Sequence, residues 1–181
     1  LRNKKLRWLI VFSASMGVAT LSIAWFSQPL FKNLEVPIIY FGILWAILNA
    51  SAGITSFNSH VINRKINLKK LMFIITLGIV FSFIAIGAIN HLFALIFVLI
   101  IYLLRGVITP LMRTYINEET SSNKRATVLS IRSFAIRVSF AITAPFLGYI
   151  AEAYTLNYAF YLLAFIVCFF AMWSAYKISN T

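Results

Sequence analysis

The chain contains no aspartate and only four glutamates: Glu35, Glu118, Glu119 and Glu152. Charged residues make up 11% of its 181 residues, against about 25% in soluble domains. With so few carboxylates, neither a carboxylate-pair mechanism nor a dicarboxylate metal site has the groups it needs. A single cysteine, Cys168, excludes an intrachain disulfide and a cysteine metal cluster. The two-histidine zinc motif, the glycine-rich phosphate loop and the serine elbow of hydrolases are also missing. These absences speak against an enzyme and against any bound metal or cofactor.

What the chain has in abundance is apolar surface. Hydrophobic residues reach 61% and mean hydropathy is +0.90. A chain this short cannot hide that much in one water-soluble core, and disorder requires the opposite composition. The net charge is +12, from 16 Lys and Arg against 4 acids. In a soluble protein such an excess points to nucleic acid. On so apolar a chain it reads as membrane topology, with a lipid bilayer and not nucleic acid as the partner.

A membrane-crossing helix needs about 20 mostly apolar residues. Six stretches qualify: Trp8–Gln28, Ile38–Asn58, Leu71–Ile89, Leu92–Tyr115, Thr127–Tyr149 and Tyr158–Tyr176. The expected fold is therefore all-α, a polytopic six-helix transmembrane bundle forming a single domain over residues 1–181. Pro29 and Pro37 bracket the first loop. Arg2, Lys4, Lys5 and Arg7 precede the first span; Arg64, Lys65, Lys69 and Lys70 follow the second; Lys124, Arg125 and Lys177 follow later even-numbered spans. Lys32 alone falls in a loop on the opposite side. This alternation supports six crossings with both termini cytoplasmic in the cell membrane. The chain opens on Leu rather than Met, which suits a piece of a longer protein.

Small and polar residues recur at steps of three and four, so each set shares one helix face. The first span carries Ser13, Gly17, Thr20, Ala24 and Ser27. The second carries Gly42, Ala46, Asn49, Gly53, Ser56 and His60; the fifth carries Ser130, Ser133, Arg137, Ala141, Ala144 and Gly148. Close helix packing or a polar cavity wall would each produce such a stripe. The third and sixth spans lack charge and read as outer helices. Arg105 and Arg137 lie near the bilayer centre, where a charge costs about 2.5 to 3.5 kcal/mol on insertion scales. Arg113 and Arg132 sit nearer span ends, within snorkelling reach of the interface. No carboxylate falls inside the six stretches to neutralise them. Pro110 and Pro145, with Gly148 beyond it, place kinks on the two arginine-bearing spans.

Arg105-Gly106 through Pro110, then Tyr115-Ile116-Asn117, then Arg125-Ala126-Thr127-Val128-Leu129-Ser130, then Pro145-Phe146-Leu147-Gly148-Tyr149 follow in order along the chain. This sequence of motifs resembles the C-terminal half of a major facilitator superfamily transporter. The loop Ser59-His60-Val61-Ile62-Asn63-Arg64-Lys65 stands where that family carries its basic loop signature. Ser59 replaces the glycine, Asn63 replaces the aspartate, and Arg64 matches. The resemblance implies a second six-helix half in the same parent chain and a small-molecule substrate held at midplane between the halves. It implies alternating access, with spans one, two, four and five lining the cavity.

The expected activity is secondary active transport of small solutes, and the resemblance implies efflux of amphiphilic or drug-like compounds as its specific form. The expected cavity residues are Arg105, Arg137, Thr109, Asn49 and Trp45, with Pro110, Pro145 and Gly148 as kinks. Arg64, Asn117 and Arg125 form the cytoplasmic loop motif. The competing expectation is a six-span structural or partner module, or a self-associating channel.

Overall fold

A computed structural model of the protein describes residues 3–179, with backbone alone at Asn63, Arg64, Lys65 and Ser179. The Asn3 side-chain oxygen accepts the Leu6 amide and starts α1, which runs from Lys4 to Asn33. Pro29 does not end it. Lacking only an amide hydrogen near the last turn, proline is carried inside the helix. The helix ends one turn later. The Val36 amide bonds the Phe31 carbonyl at 3.0 Å and Glu35 takes a left-handed φ of 55°. That closing turn is usually given to glycine.

After a 3-10 turn at Ile38–Tyr40, α2 spans Phe41–Phe57. The basic segment expected to be a loop is a short helix, α3, over Ser59–Lys65. Asn67 caps α4, Leu68–Ala88, by accepting the Lys69 amide at 3.2 Å. A tight turn leads into α5, Ala94–Glu118, and a 3-10 turn at Ser122–Lys124 leads into α6, Arg125–Ala153. The last helix, α7, covers Leu156–Ser179. Six of these elements are long and apolar enough to cross a membrane, and no strand occurs among the described residues. The architecture is the expected all-α six-span bundle. Pro110 and Pro145 lie inside uninterrupted helices. Glu118 and Glu152 end up in the final turns of α5 and α6 rather than in loops.

The helices assemble as an inner spine with two flanks. α1 packs against α5, α6 and α7, while α4 packs between α5 and α7. Phe83 of α4 stacks on Phe160 of α7 at 6.2 Å, and Phe26 of α1 meets Phe160 edge-on at 6.4 Å. Such aromatic pairs add to simple burial. Most of the apolar stretch of α1 is buried (67%), but only 6% of that of α2 and of α6. The two expected outer helices, α4 and α7, bury one face against each other. They leave Phe73, Phe81, Phe165 and Phe169 exposed, as a lipid-facing surface would.

The ends of the bundle are tied separately. At the end that holds the chain termini, Lys5 of α1 forms an ion pair with Glu119, just past α5. Asn3 donates to the other carboxylate oxygen of Glu119 at 3.2 Å. This brings a negative charge to the start of α1, whose first turn holds no acid and several cations. At the opposite end, Asn157 donates to Asn90 at 2.9 Å and joins the start of α7 to the α4–α5 turn.

Candidate functional site

On α5, Arg105, Ile108, Thr109, Met112 and Arg113 recur at steps of three and four, so they share one face. On α6, Arg132, Ser133, Ile136, Arg137 and Phe140 form a broader face. These two faces and the Ser13–Trp25 stretch of α1 line an open-sided cavity of about 530 Å³. All four arginines from the fourth and fifth spans line it, together with the hydroxyls of Thr20, Thr109 and Ser133. None of the four glutamates does.

The arginines occupy two levels. α5 runs toward the terminus-bearing end and α6 runs away from it, so Arg105 and Arg137 lie at similar depth near the middle of the bundle. Arg113 lies about 12 Å further along α5, and Arg132 about 7 Å back along α6, both toward the terminus-bearing end. Arg132 is the buried member, 6% exposed, and its Nε donates to the Ser13 hydroxyl. That bond fixes α6 to α1. A side chain at Gly17, one turn further on, would strike Ile136, so the two helices touch beside the cavity. Arg137 and Arg113 are exposed, and Arg105 is half-buried.

Arg105 is positioned from behind. Its guanidinium lies 5.4 Å from the ring centre of Tyr102, a fully buried residue of α5. Tyr102 in turn meets Trp45 of α2 edge-on at 6.4 Å. Trp45 thus stands outside the cavity lining but two ring contacts from its central arginine. α2 itself crosses α5 closely. A Cβ on Gly106 would collide with the Thr55 hydroxyl and the Ala52 carbonyl. Glycine is required there by close approach.

Of the other expected site residues, Thr109 lines the cavity and Pro110 follows it, leaving the Gly106 carbonyl without its helical amide. Asn49 is not brought to the cavity. It is exposed on α2, and its amide donates to the Trp45 carbonyl at 2.9 Å. Gly42 and Gly53, on the same stripe, face open space. Pro145 is exposed on α6, and Gly148 lines a separate groove with Phe26, Pro29 and Glu152 at the far end. Asn117 closes α5 by accepting the Thr120 amide at 3.3 Å. Arg125 donates to the Thr120 carbonyl at 3.4 Å and straps the turn between α5 and α6. The Arg64 side chain lies outside the described residues. His60 and His91 sit at helix ends and bond neighbouring backbone groups.

The residues that sequence reading missed are Arg113, Arg132 and Ser13. For Arg113 the signal was present: eight residues from Arg105 is one helix face, and depth alone had set the two apart. A larger groove of about 820 Å³ between α1, α6 and α7 is lined almost wholly by apolar groups such as Ile142, Phe146 and Phe170. It offers lipid-like contact and no charge, so the smaller arginine cavity is the chemically specific one.

Six apolar helices, three of which line an arginine-bearing cavity, define a multi-pass membrane protein. Residues 7–179 match the family model of the Major Facilitator Superfamily, and the chain belongs to that family. Members of the family are transporters, not enzymes. No curated protein matches the chain. No solved structure matches it either.

Proposed function

We propose that the chain is the C-terminal half of a secondary carrier that moves small amphiphilic solutes out across the cell membrane by alternating access. The observation that carries this reading is the convergence of Arg105, Arg113, Arg132 and Arg137, from two helices, on one cavity with no acid in its lining. Isolated arginines in a membrane bundle are expensive, and those that persist mark a solute pathway. The small-residue faces of α2 and α6 are exposed. In the whole carrier they meet a second six-helix half, which closes the cavity and brings Asn49 to its wall. Both termini lie in the cytoplasm, because Lys5, Lys124 and Arg125 gather at the terminus-bearing end.

The test is counterflow of solute by the whole carrier in reconstituted vesicles. Saturable flux, lowered about tenfold or more by Arg137→Ala, supports a carrier with this cavity as its site. Unchanged flux in that variant overturns the cavity's role. Non-saturable conductance supports a self-associating channel instead.

A further inference from the structure

We infer that the solute is an organic anion, a carboxylate or phosphate on a compact apolar body. The inference rests on the carrier reading of the cavity and adds the chemical class of what enters it. Four guanidinium groups line a space of about 530 Å³, and the other polar side chains in its lining are uncharged: the hydroxyls of Ser13, Thr20, Thr109 and Ser133 and the indole of Trp25. Hydroxyls accept hydrogen bonds but cannot balance charge. A guanidinium is a cation by its ordinary chemistry, so four of them give the cavity one sign. Glu119 is engaged by Lys5 and Asn3 at the end of the bundle. A cavity of one sign with apolar walls concentrates ions of the other.

The geometry narrows the ligand further. Each guanidinium presents a planar fork that matches a carboxylate or a phosphate in a bidentate fashion. The two arginine levels lie about 7 to 12 Å apart along the helices, a spacing that lets one anionic group pass from Arg105 and Arg137 to Arg113 and Arg132. Between the arginines the walls are Met16, Ile108, Met112, Ile136 and Phe140, which suit an apolar body of one or two rings. Arg132 is already fixed by Ser13, so it forms the rigid floor of the site, and the more exposed Arg137 forms its entrance.

Four probes with one shared bicyclic body separate charge from shape: 1-naphthoate, 1-naphthyl phosphate, 1-naphthol and 1-naphthylmethylamine. Equilibrium dialysis against the purified whole carrier should find both anions bound about tenfold or more tighter than the alcohol and the amine. Arg105→Gln and Arg137→Gln should each weaken the anions about tenfold and leave 1-naphthol unchanged, which also reports that the variants are folded. Raising salt should weaken the anions alone. The order of carboxylate and phosphate decides between the two headgroups. Equal affinity for all four probes, the result expected if acids from elsewhere in the carrier neutralise the arginines, overturns the inference, as does tighter binding of the amine; so does an equal loss for every probe in the glutamine variants, the result expected if the arginines only hold the fold. Counterflow of the amine without any anion preference leaves the carrier standing and removes the anion class. Arginine-dependent anion binding without flux keeps the anion site and removes the carrier.

Discussion

Helices α1 and α6 carry nearly the same kind of stripe and meet opposite fates. In α1, Ser13, Gly17 and Ser27 are buried; in α6, Ser130, Ser133, Arg137 and Ala141 are exposed. Both stripes obey helical spacing, and both would pass as close-packing faces in isolation. The difference lies in what each helix touches. α1 has neighbours on three sides, whereas α6 leans on α1 and α7 and leaves its opposite side open. A small-residue stripe therefore specifies a face that another surface can approach, and not whether that surface belongs to this bundle. α2 repeats the lesson on one helix: Ala52 and Thr55 press against Gly106, while Gly42 and Gly53 meet nothing.

The largest test of this contrast sets the two sides of α2 against each other. Gly106→Val places a side chain against the Ala52 carbonyl, a backbone atom that cannot swing aside, and should destabilise the bundle by about 1–3 kcal/mol or more. Gly53→Val should change stability by about 0.5 kcal/mol at most, since it meets open space in this chain. Thermal unfolding of the two variants of this chain in detergent measures the gap, and equal losses would break the comparison. The next effect concerns the α1–α6 joint. Ser13→Ala leaves the buried Arg132 Nε without its acceptor and should cost about 1–3 kcal/mol, while Ser133→Ala on the exposed face of α6 should cost far less.

The smallest effect is at the terminus-bearing end. Hydrogen bonds from Lys5 and Asn3 outweigh partial burial and hold the Glu119 carboxyl below the usual carboxylate range. A lowered folded pKa means that the contact stabilises at pH values above that range and is lost as pH falls through the lowered value. Glu119→Gln should remove this acid-side dependence from the unfolding profile. Its neutral-pH effect should be about 1 kcal/mol or less, because the pair is partly exposed.

The spans were legible because each is an apolar run bounded by polar or basic residues, a signal that survives without any knowledge of neighbours. Their ends were less so. Pro29 reads as a stop but sits where one missing amide is tolerated, and the basic stretch Ser59–Lys65 reads as a loop but closes a short helix. Arg105, Arg137 and Thr109 were found from depth and chemistry, and the structure places them on one cavity. Trp45 and Asn49 were chosen on the same grounds. They fall on α2, one behind the arginine and the other on an open face. Arg113 and Arg132 were set aside as snorkelling residues, because distance from a span end says nothing about which way a helix face turns.

Composition and spacing alone determine that this chain carries six membrane-spanning helices, that most of its cations outside them fall in alternate loops, and that the arginines within them have no acid in the same stretches. Those properties belong to single residues and single helices, where hydropathy and a 3.6-residue period suffice. Only the tertiary arrangement decides that four arginines from two helices share one cavity, that Ser13 anchors one of them, and that two small-residue faces stay open. These facts depend on how the helices are rotated against one another, which is set by the summed packing of every face at once.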